Sequence, residues 1–137
     1  MNLKSKVAGL AMMFVVSSSF ATTYQLSTHI LDVNKGVPAP NVGIELYKFN
    51  EKTEDWVQVA KTVTDGNGRV KGLLPLQDGK DNKGIYKLKF QVKQYLEQLY
   101  TKSFYPFIEV PFELKDNAHY HVPITLSPYG YSTYRGS

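Results

Sequence analysis

Alternation of apolar and polar residues with a period of two recurs along this chain, and it limits the fold more than any other feature. Val42-Gly43-Ile44-Glu45-Leu46-Tyr47 places Val42, Ile44 and Leu46 on one face. Tyr86–Val92 sends Leu88 and Phe90 inward and Lys87 and Lys89 outward. Ile108–Leu114 alternates equally cleanly. Its Pro111 cannot donate to a ladder and so points to an edge or a bulge. Trp56–Ala60 reads as a further strand. Turn chemistry separates these runs: Asn34-Lys35-Gly36, Asp65-Gly66-Asn67-Gly68, and Asp78-Gly79-Lys80 through Gly84. Short strands at this spacing predict a two-sheet antiparallel β-sandwich. One stretch has a helical period instead: Val92, Tyr95, Leu96 and Leu99 fall at i, i+3, i+4 and i+7, so a single short helix is expected across Gln91–Tyr100. The expected class is therefore all-β with one short helix. An aromatic share of 13% agrees with it, and 137 residues suit one domain.

The N-terminus follows a different rule. Lys4 and Lys6 precede an apolar run from Val7 to Val16, and Ser19-Phe20-Ala21 supplies a small-x-small site. This is the pattern of a secretory signal peptide, removed after Ala21. The run is about half the ~20 residues a spanning helix needs, which argues against a membrane anchor. The expected division is a cleaved segment 1–21 and a folded domain 22–137, located in a bacterial periplasm. Removal of Lys4 and Lys6 leaves 14 basic against 12 acidic residues, so the net charge falls from +4 to +2. The remaining lysines are scattered among acids, which reads as a solvated surface and speaks against a nucleic-acid partner.

The chain has no cysteine, which excludes disulfides, thiolate nucleophiles and Cys-ligated zinc. Imidazole chemistry must come from His29, His119 and His121. In His119–Leu126 the alternation sends Tyr120, Val122, Ile124 and Leu126 to one face, and His119, His121 and Thr125 to the other. The two imidazoles then stand ~7 Å apart along the strand. His29 lies in the first strand of the mature chain, Leu26–Val33. Arg69 follows the Gly-rich turn and is one of only two arginines, with Arg135, against fourteen lysines. Arginine is the residue for forked recognition of oxygens. The C-terminal Ser127–Ser137 carries aromatics and hydroxyls but no lysine or acid, so it is either a terminal edge strand or a segment that enters a site.

Taken together, Leu26-Ser27-Thr28-His29-Ile30-Leu31-Asp32, Gly68-Arg69, His119-Tyr120-His121-Val122-Pro123 and Tyr131-Ser132-Thr133-Tyr134-Arg135-Gly136-Ser137 resemble the 5-hydroxyisourate hydrolases, the transthyretin-related enzymes of urate breakdown. Gly36-Val37-Pro38-Ala39 and Phe104-Tyr105-Pro106 fit the same pattern, and the likeness covers nearly all of residues 24–137. The terminal Tyr-Arg-Gly-Ser is its most specific part, because it separates the hydrolases from the hormone-carrying transthyretins. Asn67 departs from the usual Asp and keeps the turn chemistry. The resemblance implies a transthyretin-like sandwich and a homotetramer, a dimer of dimers with its active sites in clefts between the dimers. It implies His29, Arg69 and His121 as catalytic residues. His29, Arg69, Tyr134, Arg135 and Ser137 would bind substrate, and His119 would be supportive. No cofactor or metal is implied, and no membrane partner after signal cleavage.

The implied reaction opens the six-membered ring of 5-hydroxyisourate by water attack on a ring carbonyl. The product is 2-oxo-4-hydroxy-4-carboxy-5-ureidoimidazoline. A neutral imidazole can take the proton from water, and a permanently charged Arg69 can hold the substrate's oxygens and the developing oxyanion. Two other readings stay open on the residues alone. Three histidines, two as His-x-His, have the types of a His₃ zinc site. The same sandwich can also serve as a non-enzymatic binding module, as the hormone carriers demonstrate.

Overall fold

Strand β1 (Tyr24–Asp32) organises the molecule, because β2 (Val37–Pro38), β5 (Arg69–Pro75), β8 (Tyr120–His121) and β9 (Ile124–Ser127) all pair with it. Strand β10 (Gly130–Thr133) joins β9 and completes a six-stranded sheet. The second sheet has the order β4-β3-β6-β7, built from β3 (Gly43–Asn50), β4 (Asp55–Val63), β6 (Gly84–Phe90) and β7 (Ile108–Leu114). This is a computed structural model, and it describes residues 9–15 and 21–137. Segment 1–21, expected from the sequence to be a signal peptide, lies for the most part outside the described residues. Among them, no helix is long and apolar enough to cross a membrane.

The two inner faces meet in one core. Leu26, Ile30, Ile44, Leu46, Leu88, Phe90, Ile108, Leu114, Ile124 and Leu126 are all buried in it. These are the inward residues of the alternating runs, so the pleat converts a period-two pattern directly into a packed layer. Helix α1 (Val92–Gln98) turns Val92, Tyr95 and Leu96 into the same core. Tyr95 donates from its hydroxyl to Asp32 Oδ2 at 2.8 Å. That bond ties the helix to the end of β1, and burial, followed by the hydrogen bond to Asp32 and then its charge, pushes the phenol well above its ordinary range. Pro111 sits on β7, an edge strand, where its missing N–H breaks no interior ladder.

Two details differ from the sequence expectation. The six-stranded sheet is not wholly antiparallel, because β1 runs parallel to β8 and β9. His119–Leu126 is also not one unbroken strand. Its ladder lapses at Val122-Pro123, since proline has no N–H to donate. The register does not slip there: Leu26 faces Tyr120 and Ile30 faces Ile124, the same offset on both sides of the gap. Side bonds hold the gap in place. Val122 N donates to the Ser27 carbonyl at 3.0 Å, and buried Thr28 Oγ1 donates to the Val122 carbonyl at 2.7 Å. Tyr120, Val122, Ile124 and Leu126 therefore all remain buried.

Candidate active site

The candidate residues collect on the outer face of the six-stranded sheet, near the middle of β1. Between Leu26 and Thr28 the pairing with β5 shifts by one residue, and the extra residue lies on β5, so β1 keeps its alternation. Leu26, Thr28, Ile30 and Asp32 point inward, and Ser27, His29 and Leu31 point outward. His29 is paired directly with Arg69 on β5, and Ser27 with His121 on β8. Three segments remote in sequence thus deliver two imidazoles and a guanidinium to one patch.

Arg69 owes its place to the turn before it. Asp65 Oδ1 accepts from the backbone N–H groups of Asn67 at 2.8 Å and Arg69 at 3.0 Å. Gly68 has φ +69°, and a Cβ there would stand 2.7 Å from the Ile30 carbonyl and 2.9 Å from Ala39 N. Only glycine permits both that conformation and that closeness to the backbone.

Ser27, Thr28, Arg69, Lys71, His119 and His121 line a cavity of about 370 Å³. Ser27 Oγ lies 2.7 Å from His121 Nδ1 and 3.0 Å from His119 Nε2. A larger cavity of about 580 Å³ lies against Lys48, Lys52, Val57 and Lys83 on the other sheet. It holds no imidazole, so chemistry rather than size marks the first.

Electrostatics favour neutral rings. Burial, the Arg69 charge, His29 and His119 together hold the His121 ring below its ordinary value, against a contact with the Ser27 backbone that raises it. Burial and Arg69 likewise lower His29, against a hydrogen bond to the Asn67 backbone and the nearby Asp65. A neutral imidazole beside a fixed cation combines a proton acceptor with an oxyanion partner. No group of three His, Asp or Glu among the described residues is arranged to hold a metal ion.

The terminal segment forms an edge strand and then returns to the backbone of His121. Gly130–Thr133 is an edge strand on β9, and beyond it Gly136 N donates to the His121 carbonyl at 2.8 Å. A Cβ on Gly136 would lie 2.5 Å from His121 Cδ2, so the tail packs flat against the ring. Ser137 is thereby carried to the neighbourhood of His121. Within one chain, Tyr134 and Arg135 are not brought to the histidines. They line a separate cavity of about 400 Å³ with Phe112 and Tyr120, and the Arg135 guanidinium lies 4.4 Å from the centre of the Tyr120 ring.

Sequence reasoning missed Ser27 and Lys71. Alternation makes Ser27 the outward neighbour of His29 at i−2, and Lys71 the outward neighbour of Arg69 at i+2. Neither residue type announces chemistry without the pairing partner across the sheet.

Comparison with known proteins places the fold and the family. Residues 26–136 match the HIUase/Transthyretin family. The 5-hydroxyisourate hydrolase of Salmonella typhi is 42% identical over 136 residues, covering 98% of this chain and 93% of that protein. The solved 5-hydroxyisourate hydrolase of Klebsiella pneumoniae superposes with a TM-score of 0.67 at 31% identity, over 85% of this chain and 100% of that one. Sea bream transthyretin, solved in complex with thyroxine, superposes with a TM-score of 0.73 at 29% identity, over 82% of this chain and 94% of that one. With a family match across nearly the whole described fold and relatives of this similarity, the chain belongs to the HIUase/Transthyretin family.

Proposed function

We propose that this chain hydrolyses 5-hydroxyisourate by general-base attack of water, with His121 taking the proton and Arg69 stabilising the oxyanion. The chain is a hydrolase of urate degradation, on the strength of relatives bearing that activity at 42% and 45% identity over most of its length. The observation that carries the mechanism is the strand pairing that sets Arg69 against His29 and His121 beside Ser27 on one outer face. His29 shares or orients the attacking water. Arg69 cannot act as a base, and its fork suits the substrate's oxygens and the negative charge that forms on the attacked carbonyl. Lys71, on the same face of β5, adds a second cation to the cavity.

The site of a single chain is an open depression in which Arg69 and His119 are exposed. A second copy laid over this face would exclude water and strengthen each polar contact. We place the working site in a homotetramer, a dimer of dimers, with the cleft between dimers supplying the second wall. In that setting Tyr134, Arg135 and Ser137 bind the substrate. The reaction uses no cofactor or metal, and with residues 1–21 removed it takes place in the periplasm.

General-base and oxyanion contributions are worth about 10²–10⁴ and 10²–10³ in rate. His121→Ala and Arg69→Ala should each cost at least about two decades in kcat/KM while circular dichroism and Tm stay near native. Activity of the native chain should survive exhaustive chelation. Near-native turnover by His121→Ala would remove the assignment, and loss of activity on chelation would return the zinc reading.

A further inference from the structure

The hydrogen bonds behind His121 have a direction, and that direction determines which ring nitrogen is the base. The chain of contacts begins at the Tyr24 carbonyl, 3.1 Å from His119 Nδ1. A carbonyl oxygen can only accept, so His119 Nδ1 carries the hydrogen. In a neutral ring His119 Nε2 is then an acceptor. It faces Ser27 Oγ at 3.0 Å, so the serine hydroxyl gives its single hydrogen there. With that hydrogen committed, Ser27 Oγ can only accept from His121 Nδ1 at 2.7 Å. His121 must therefore bear its hydrogen on Nδ1 and its lone pair on Nε2. The opposite direction requires hydrogens on both nitrogens of His119, hence a charged ring.

Resting on the hydrolase reading of this site, we infer that Ser27 and His119 are positioning residues that fix His121 in the Nδ1–H tautomer and so present Nε2 as the general base. Neither touches the reacting atoms. The device has the logic of a carboxylate behind a catalytic histidine, with a neutral serine–histidine–carbonyl series in place of the charge. A neutral series fits this location. A carboxylate behind His121 would raise its affinity for protons, whereas burial and Arg69 lower it. Ser27 is also fastened through its own backbone, since its carbonyl accepts from Val122 N at 3.0 Å, and this fixes the hydroxyl relative to β8. His119 is exposed and cannot be explained by packing.

The test is the tautomer itself, read by long-range ¹H–¹⁵N correlation on the full chain labelled at its three histidines, at a pH where the rings are neutral. The native protein should show His121 and His119 both as Nδ1–H. Ser27→Ala should move His121 towards the Nε2–H form that free imidazole prefers. It should also lower kcat by about ten- to a hundred-fold, with KM changed by less than about twofold. Ser27→Thr, which keeps the hydroxyl, should restore both. His119→Ala, at an exposed position that leaves the fold intact, should act in the same direction as Ser27→Ala. A native His121 in the Nε2–H form would overturn the inference. So would Ser27→Ala and His119→Ala variants that keep the native tautomer and kcat. A native chain with the stated tautomer but no turnover of 5-hydroxyisourate would overturn the hydrolase reading instead, so the two failures are distinguishable.

Discussion

His121 can take a proton only while its ring is neutral, and its surroundings enforce that state through burial and the Arg69 charge. Because the proton affinity is lowered, activity should be full above neutrality and fall as pH drops through a midpoint below the ordinary imidazole value of 6.5. Arg69→Gln removes one of the two largest causes for both His29 and His121, so their NMR titration midpoints should both move up. Unchanged midpoints would mean that Arg69 does not face the rings. His29, Arg69 and His121 stood out as candidates because histidine and arginine are scarce in this chain, and the family resemblance joined them into one proposed site. Ser27 was not, since one serine among many acquires meaning only from what lies across the sheet. The reading of the lysines as simply solvated fails on the second sheet, where Lys48, Lys87 and Lys89 lie over aromatic rings. Lys87 is not merely solvated: its Nζ sits 4.5 Å from the centre of the Trp56 ring and 3.5 Å from Glu109, with its side chain only 17% exposed.

At the scale of elements, tight backbone approaches deliver the site. Gly68→Ala must place a Cβ against the Ile30 carbonyl in a left-handed conformation, and should cost about 2 kcal/mol or more, read as a lowered Tm. Gly136→Ala should leave Tm nearly unchanged, because its clash is with the His121 ring at an exposed chain end. It should nevertheless lower kcat at least about tenfold, since small displacements of a base are costly. Native kcat in Gly136→Ala would mean the tail is not seated on the ring. Strands β3, β6 and β7 and helix α1 were readable because one buried face imposes a strict period on each. The parallel run of β8 and β9 beside β1 was not readable, because pairing direction leaves no trace in alternation. The lapse at Pro123 was hidden for a related reason: the register continues across it, so the apolar pattern never changes phase.

For the whole molecule, fold and function separate. Sea bream transthyretin, crystallised with thyroxine, shares this sandwich at a TM-score of 0.73, so the architecture alone does not select hydrolysis. The proposal of hydrolysis rests instead on the imidazole–guanidinium patch that strand pairing assembles on the outer face. Sedimentation equilibrium should give four copies per particle for the 22–137 chain, and a stable monomer with full activity would contradict the two-walled cleft. The most direct measurement of the central claim is the ultraviolet decay of 5-hydroxyisourate, generated in situ from urate by a urate oxidase, with and without the purified chain. Decay much faster than the spontaneous rate, lost in His121→Ala and indifferent to chelator, is the expected result. Decay at the spontaneous rate from a folded, tetrameric sample would contradict the account and point to a binding module on the same sandwich.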